Sequence, residues 1–190
     1  VDPDLMHMPD GPGYKEVATA SDAYQQHFFK SVEYSVNLLT PGYIRRSVKS
    51  VRMRDPEDGG YYVRATSKRR WIEGRPVPTQ RELDLAIVNA DNRGFFTVQL
   101  PSGREAYTRD GRMKFDYAGR LCTLSGEYPV LGLDGEIVPD DEDIYVSEIG
   151  RIRTRDAIVG DLKITVFKEF DDMTEHLISL DGVFFVLDEP

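Results

Sequence analysis

Asp84 and Asp110 are the carboxylates in this chain that invite an acid–base reading, because such catalysis needs two carboxyls in unlike environments. Their settings argue against it. Asp84 lies within Leu83-Asp84-Leu85, and Asp110 precedes Gly111, where turn chemistry explains it without further assumption. The histidines, His7, His27 and His176, are far apart and sit in different patterns, so they do not suggest a metal site. Cys122 falls between Leu121 and Thr123 in an expected strand, where a thiol is a small core residue and lacks the base or positive field that would activate it. Asp140-Asp141-Glu142-Asp143 could attract calcium, but it lacks the alternating ligands and central glycine of an EF-hand loop and reads as a solvated acidic loop. There is no nucleophile elbow, P-loop, dinucleotide fingerprint or His-Glu-x-x-His. Gly94, Gly111, Gly119, Gly126 and Gly132 fall at strand ends and form no phosphate cradle. The expectation is therefore no enzyme, no cofactor, no metal and no small-molecule substrate.

The elements expected to position these residues are mostly short strands. The chain has 190 residues, enough for one or two domains. A net charge of −9 disfavours nucleic acid as a partner, since duplex binding needs a broad basic surface. No apolar run reaches the length of a membrane span, and Val1 to Gly13 does not read as a cleavable signal. Charge is unevenly spread: Pro41 to Gln80 is basic and Leu131 to Pro190 strongly acidic. Such a division reads either as two solvated faces or as a subunit whose basic side meets a neighbour's acidic side, head to tail.

Residues 1–20 read as a flexible arm. Ser21 or Asp22 would cap a helix over 21–40, with Tyr24, Phe28, Val32 and Val36 at fourfold spacing and Phe29 and Leu39 widening the stripe. That stripe fits core packing or a seam for partner helices. Residues 41–80 read as a linker with the first strands, Arg46–Arg54 and Tyr61–Thr66. Residues 81–190 read as a central β domain. Within it, Asp110-Gly111 is expected to close a two-residue hairpin between Ala106–Arg109 and Arg112–Phe115. Further turns are expected at Pro101-Ser102-Gly103, Tyr117-Ala118-Gly119, Ser125-Gly126 and Asp134-Gly135. The fold class is mainly β: an antiparallel sandwich or barrel-like domain with one N-terminal helix. Leu83, Ile87, Phe95, Phe96, Tyr107, Phe115 and Leu121 are the expected core.

Four segments, in order, resemble the bacterial flagellar axial proteins, the hook and basal-body rod family. Asn37-Leu38-Leu39-Thr40-Pro41-Gly42-Tyr43 is similar to the signature that ends the family's N-terminal helix. Val63-Arg64-Ala65-Thr66 with Trp71 and Glu73-Gly74 resembles the approach to the central domain. Leu83-Asp84-Leu85-Ala86-Ile87 followed by Gly94-Phe95-Phe96 resembles the next motif, and Tyr107-Thr108-Arg109-Asp110-Gly111 through Gly119, Leu121 and Gly132 the last. The resemblance implies subunits exported without a cleaved signal through the flagellar type III apparatus. These stack into a hollow helical tube lined by a two-helix coil, with a β-rich domain outside. It implies partners among other rod and hook subunits and copies of the chain itself, a place in the extracytoplasmic basal body, and no membrane insertion. Chain length favours a rod component. Departures are the absence of a helical stripe after Phe185, the prolines and glycines before Ser21, and Glu33 and Tyr34 where the family has asparagine. These leave two expectations. One is a torque-transmitting rod subunit, with Asn37, Thr40, Pro41, Gly42 and Tyr43 setting a helix-to-domain joint. The other is an accessory module that docks on the rod or hook without forming the tube.

Overall fold

The computed structural model describes residues 12–72, 74–88, 91, 93–125, 128–141, 143–169, 173 and 175–188. His7, Glu73, Gly126, Glu142 and most of the expected arm lie outside the described residues. The chain forms two compact units. One comprises Val1–Leu39 and Arg45–Arg70, the other Thr40–Ile44 and Trp71–Pro190.

In the first unit a single helix, α1 (Pro12–Val36), lies on a hairpin of β1 (Arg46–Arg54) and β2 (Tyr61–Arg69). The strands pair antiparallel from Arg46 opposite Arg69 to Arg54 opposite Tyr61. The helix thus begins at Pro12, and the expected starts at Ser21 or Asp22 lie inside it. Proline is at home in a first helical turn, and the hairpin holds the opening turns. Lys15 pairs with Asp55, and Glu16 accepts a two-pronged bond from Arg52 at 2.7 and 3.0 Å. Thr19 Oγ1 accepts the Val63 N–H at 2.9 Å. These tertiary anchors are invisible to local sequence patterns.

The second unit is built on a five-stranded antiparallel sheet. Along the chain its strands are β3 (Gly94–Gln99), β4 (Glu105–Thr108), β5 (Met113–Phe115), β6 (Leu121–Thr123), β7 (Leu131–Gly132), β8 (Gly135–Glu136), β9 (Tyr145–Val146), β10 (Arg151–Arg153), β11 (Ile158–Asp161), β12 (Ile164–Val166), β13 (Leu177–Ser179) and β14 (Phe184–Leu187). The large sheet runs β12-β3-β4-β14-β13, with β12 and β13 as its edges, so it does not close into a barrel. β5–β6 and β7–β8 are small hairpins, and β9, β10 and β11 form a three-stranded sheet. Single bridges, Val98 to Val130 and Gly132 to Leu162, tie these pieces to the rest.

Strand alternation sends neighbouring aromatics to opposite faces. Phe96 and Phe184 join Val98, Leu121, Val130 and Ile152 in one core. Phe95 and Phe185 join Ile44, Tyr107, Met173 and Leu177 in the other, with Trp71 and Phe167 at its margin. The rings of Phe95 and Phe185 lie 6.3 Å apart, and Trp71 is 5.9 Å from Phe95, edge to face. Of the expected core residues, Phe95, Phe96, Tyr107 and Leu121 are buried; Leu83, Ile87 and Phe115 are half-buried at the margin.

The expected Asp110-Gly111 hairpin does not form. β4 pairs with β3 and β14, and β5 pairs with β6. Gly111 instead runs beside Leu85, which it meets through Leu85 N–H to Gly111 O at 2.9 Å. Pairing with residues 83–85 therefore replaces pairing across the turn.

Candidate functional site

α1 ends where Asn37 turns back on it: both the backbone N–H and the side-chain Nδ2 of Asn37 donate to Glu33 O, at 3.2 and 2.9 Å. Thr40 to Tyr43 then form a turn, closed by Tyr43 N–H to Thr40 O at 3.2 Å. Proline at the second position and a φ of 75° at Gly42 are the chemistry of a type II turn. The second unit closes around this turn. A methyl group on Gly42 would sit 2.4 Å from the Asp110 backbone nitrogen. Ile44 donates its N–H to Gly182 O at 3.0 Å and buries its side chain against the aromatic core. Gly182, with a φ of 92°, leaves room for the Tyr43 ring, whose Cε2 would be 2.7 Å from a methyl at 182.

The receiving surface is held by a buried ionic knot. Asp110 is fully buried. Its carboxylate accepts both forks of Arg112, Nε at 2.9 Å and Nη2 at 2.8 Å, and Ser125 Oγ at 3.1 Å. The Asp110 N–H donates to Thr108 Oγ1 at 3.0 Å. The carboxylate holds the Arg112 guanidinium more firmly protonated than usual, chiefly through these hydrogen bonds, against the opposing effect of burial. Arg109 reaches the other way, donating to Gly94 O at 3.1 Å with its guanidinium 5.2 Å from the centre of the Phe95 ring. Gly111 has no alternative residue: a methyl there would fall 1.8 Å from Leu85 O. Asp84 bridges to Arg112 through the backbone and pairs with Arg81, Nε to Oδ1 3.6 Å. Asp110 is thus hydrogen-bonded to a guanidinium, whereas Asp84 Oδ1 is buried near Arg81 without a hydrogen bond.

The other residues picked from the sequence spread along the domain. Gly94 starts β3, Leu83 and Ile87 pack on the main core, and Ala86 is exposed. Gly119 has a φ of 77° in the β5–β6 turn, where the Asp116 carboxylate accepts Arg120 and Ala118 N–H groups. Gly132 allows close approach to Asp161 O, 3.0 Å from where a methyl would sit. The structure brings Gly42 of the Thr40–Tyr43 turn against Arg109 and Asp110 and spreads the other residues along the β domain. Sequence reading missed Ile44 and Gly182, and it took Asp110 for a hairpin-turn residue, not for the buried partner of Arg112. Gly182 follows Asp181 in a pattern no different from the other Asp-Gly turns. Among the described residues no cluster of three or more His, Cys, Asp or Glu side chains could hold a metal. No described helix is long and apolar enough to cross a membrane.

The first unit presents a different feature. The side of α1 that meets the hairpin is polar or small: Glu16, Thr19, Ala23 and His27, which bonds Ser50 at 2.9 Å. Its apolar side faces solvent. Tyr24, Phe28, Phe29, Val32 and Val36 are between 44% and 76% exposed. Ala23 is the one buried apolar side chain of this unit among the described residues. Among the described residues the stripe packs into no core.

Comparison with known proteins adds three findings. Residues 90–186 match the family model described as Flagellar hook protein FlgE/F/G D1 domain. The flagellar basal-body rod protein FlgG of Buchnera aphidicola subsp. Schizaphis graminum is 44% identical over 61 residues, 32% of this chain and 22% of that protein. FlgF rod proteins are similar too: that of Escherichia coli is 39% identical over 80 residues (42% of this chain, 30% of that one). FlgF of the same Buchnera is 31% identical over 100 residues (48% and 38%). The matches span well under half the length of these relatives.

Proposed function

The chain belongs to the flagellar hook protein FlgE/F/G D1 domain family, and on that premise we propose that it is a structural subunit of the flagellar basal-body rod. In this reading it stacks with copies of itself and with other axial subunits and passes torque along the structure. Its place is extracytoplasmic, and it carries out no catalysis. One observation carries the reading: α1 turns its apolar stripe outward and its polar side inward. A helix of that pattern is half of an interface. With so few buried apolar groups, its unit depends on neighbours for the core it lacks. The role suggested for the Thr40–Tyr43 signature is to make the end of the helix segment part of the β domain, so that load on one is carried by the other. The accessory-module reading is not favoured, because the relatives named above are rod proteins.

Deletion of the gene followed by electron cryotomography of basal bodies tests the proposal. A rod that stops short, without hook or filament, is the expected outcome. An intact rod with its hook would overturn it.

A further inference from the structure

We propose that the face of the β1–β2 hairpin carrying Lys49, Arg64 and Lys68 docks the acidic surface formed by Asp140, Asp141 and Asp143 of a second copy of this chain. The inference rests on the axial-subunit reading and names the surfaces that meet.

The two strands of the hairpin contain seven Lys or Arg residues and no carboxylate; its acids, Asp55, Glu57 and Asp58, are confined to the connecting loop. The register divides the cations. Ser50 and Arg52 reach α1, through His27 and Glu16, so their face is occupied. Alternation places Ser47, Lys49, Val51 and Met53 on the opposite face, across from Lys68, Thr66, Arg64 and Tyr62. Lys49 is thus the diagonal neighbour of both Arg64 and Lys68, each about 7–8 Å away. All three are exposed, and none has an anionic partner among the described residues. Like charges so spaced repel one another, and an anion laid along the face relieves that repulsion. Exposed Val51 lies directly across from Arg64 and exposed Met53 one pair further along the same face, so the face asks for an acidic segment with apolar side chains.

The second unit carries such a segment. Ile137 and Ile144, each 4% exposed, pin both ends of a loop to the core. Between them Asp140, Asp141 and Asp143 are exposed, with no cation partner among the described residues. Val138 and Tyr145 flank them and are more than half exposed. Three carboxylates with flanking apolar groups match three cations with apolar groups at one end of their row. The two surfaces are unlike, so the contact is heterologous and propagates from copy to copy.

Sedimentation of the full chain in low and physiological salt tests the pairing, using two triple variants, Lys49→Glu with Arg64→Glu and Lys68→Glu, and Asp140→Lys with Asp141→Lys and Asp143→Lys. Each alone should self-associate at least about tenfold more weakly than the parent. An equimolar mixture should regain parental association, because each reversed face then meets its complement; this rescue also shows that both variants fold. Salt should weaken parental association. Parental association by both variants alone, or loss that mixing does not restore, would overturn the pairing while leaving the axial reading intact. Absence of self-association by the parent at any salt would overturn both.

Discussion

At the scale of single residues, the Thr40–Tyr43 turn depends on Gly42 for more than its backbone conformation. Gly119 and Gly42 have nearly the same φ, 77° and 75°, but only Gly42 is also walled in. A left-handed conformation costs a non-glycine residue about 1–2 kcal/mol. Gly119→Ala should therefore lose about that much in a denaturant melt. Gly42→Ala must also push Asp110 aside and should lose distinctly more. Equal losses would mean that the seat against Asp110 is slack. Ile44→Ala should lower the stability of the β domain by about 2–5 kcal/mol, although the residue is remote in sequence from the core it fills. Asp110→Ala strips a buried guanidinium partner; because Arg112 is partly exposed, the cost should be about 2–3 kcal/mol. A melt within a few tenths of the parent would refute the knot. The motif residues here were legible in the sequence, but their roles were not. Asp110-Gly111 carries the strongest local hairpin signal, and what overrides it is Leu85, a residue brought in by the fold.

At the scale of elements, α1 shows why its start could not be read locally. Its opening turns are fastened by Lys15 to Asp55 across the hairpin loop. The Lys15 hydrogen bond, aided by the Glu57 N–H, holds the Asp55 carboxyl below its ordinary 3.8. The same bond raises Lys15 above 10.5. The sign follows: the carboxylate's contribution is complete at neutral pH and fades as pH falls from 3.8 through the lower folded value, and the lysine's fades only above 10.5. Far-ultraviolet circular dichroism should show helix signal lost in that acid window, with Asp55→Asn removing the step at the cost of a weaker helix at neutral pH. An unchanged acid step in the variant would place the effect elsewhere. The strands fared better than the helix start. Most were visible as alternation between turn residues, whereas β11 and β13 were missed because Ile158–Asp161 and Leu177–Ser179 are too short and mixed to alternate clearly.

At the scale of the whole molecule, the two units differ in what keeps them folded. In the isolated chain, amide hydrogen exchange should be slow in β3, β4 and β14, whose side chains fill two cores, and fast through α1 and the hairpin. Comparable protection in both would contradict the thin packing of the first unit. The fold class, the single helix and the family were all legible from pattern and motif. The inverted face of α1 was not, because an apolar stripe reads the same whether its partner lies in the same chain or in another. The seat of Thr40–Ile44 has a consequence for the order of events. Ile44 donates its N–H to the Gly182 carbonyl, and Tyr43 needs the space beside it, so residues 43–44 wait for residue 182. Closing so wide a loop is slow, and refolding followed by Trp71 fluorescence should have a late phase that Gly182→Ala delays. Until β14 is in place the β domain cannot be finished, and whatever relies on a seated Thr40–Ile44 turn is timed by the pairing of that strand.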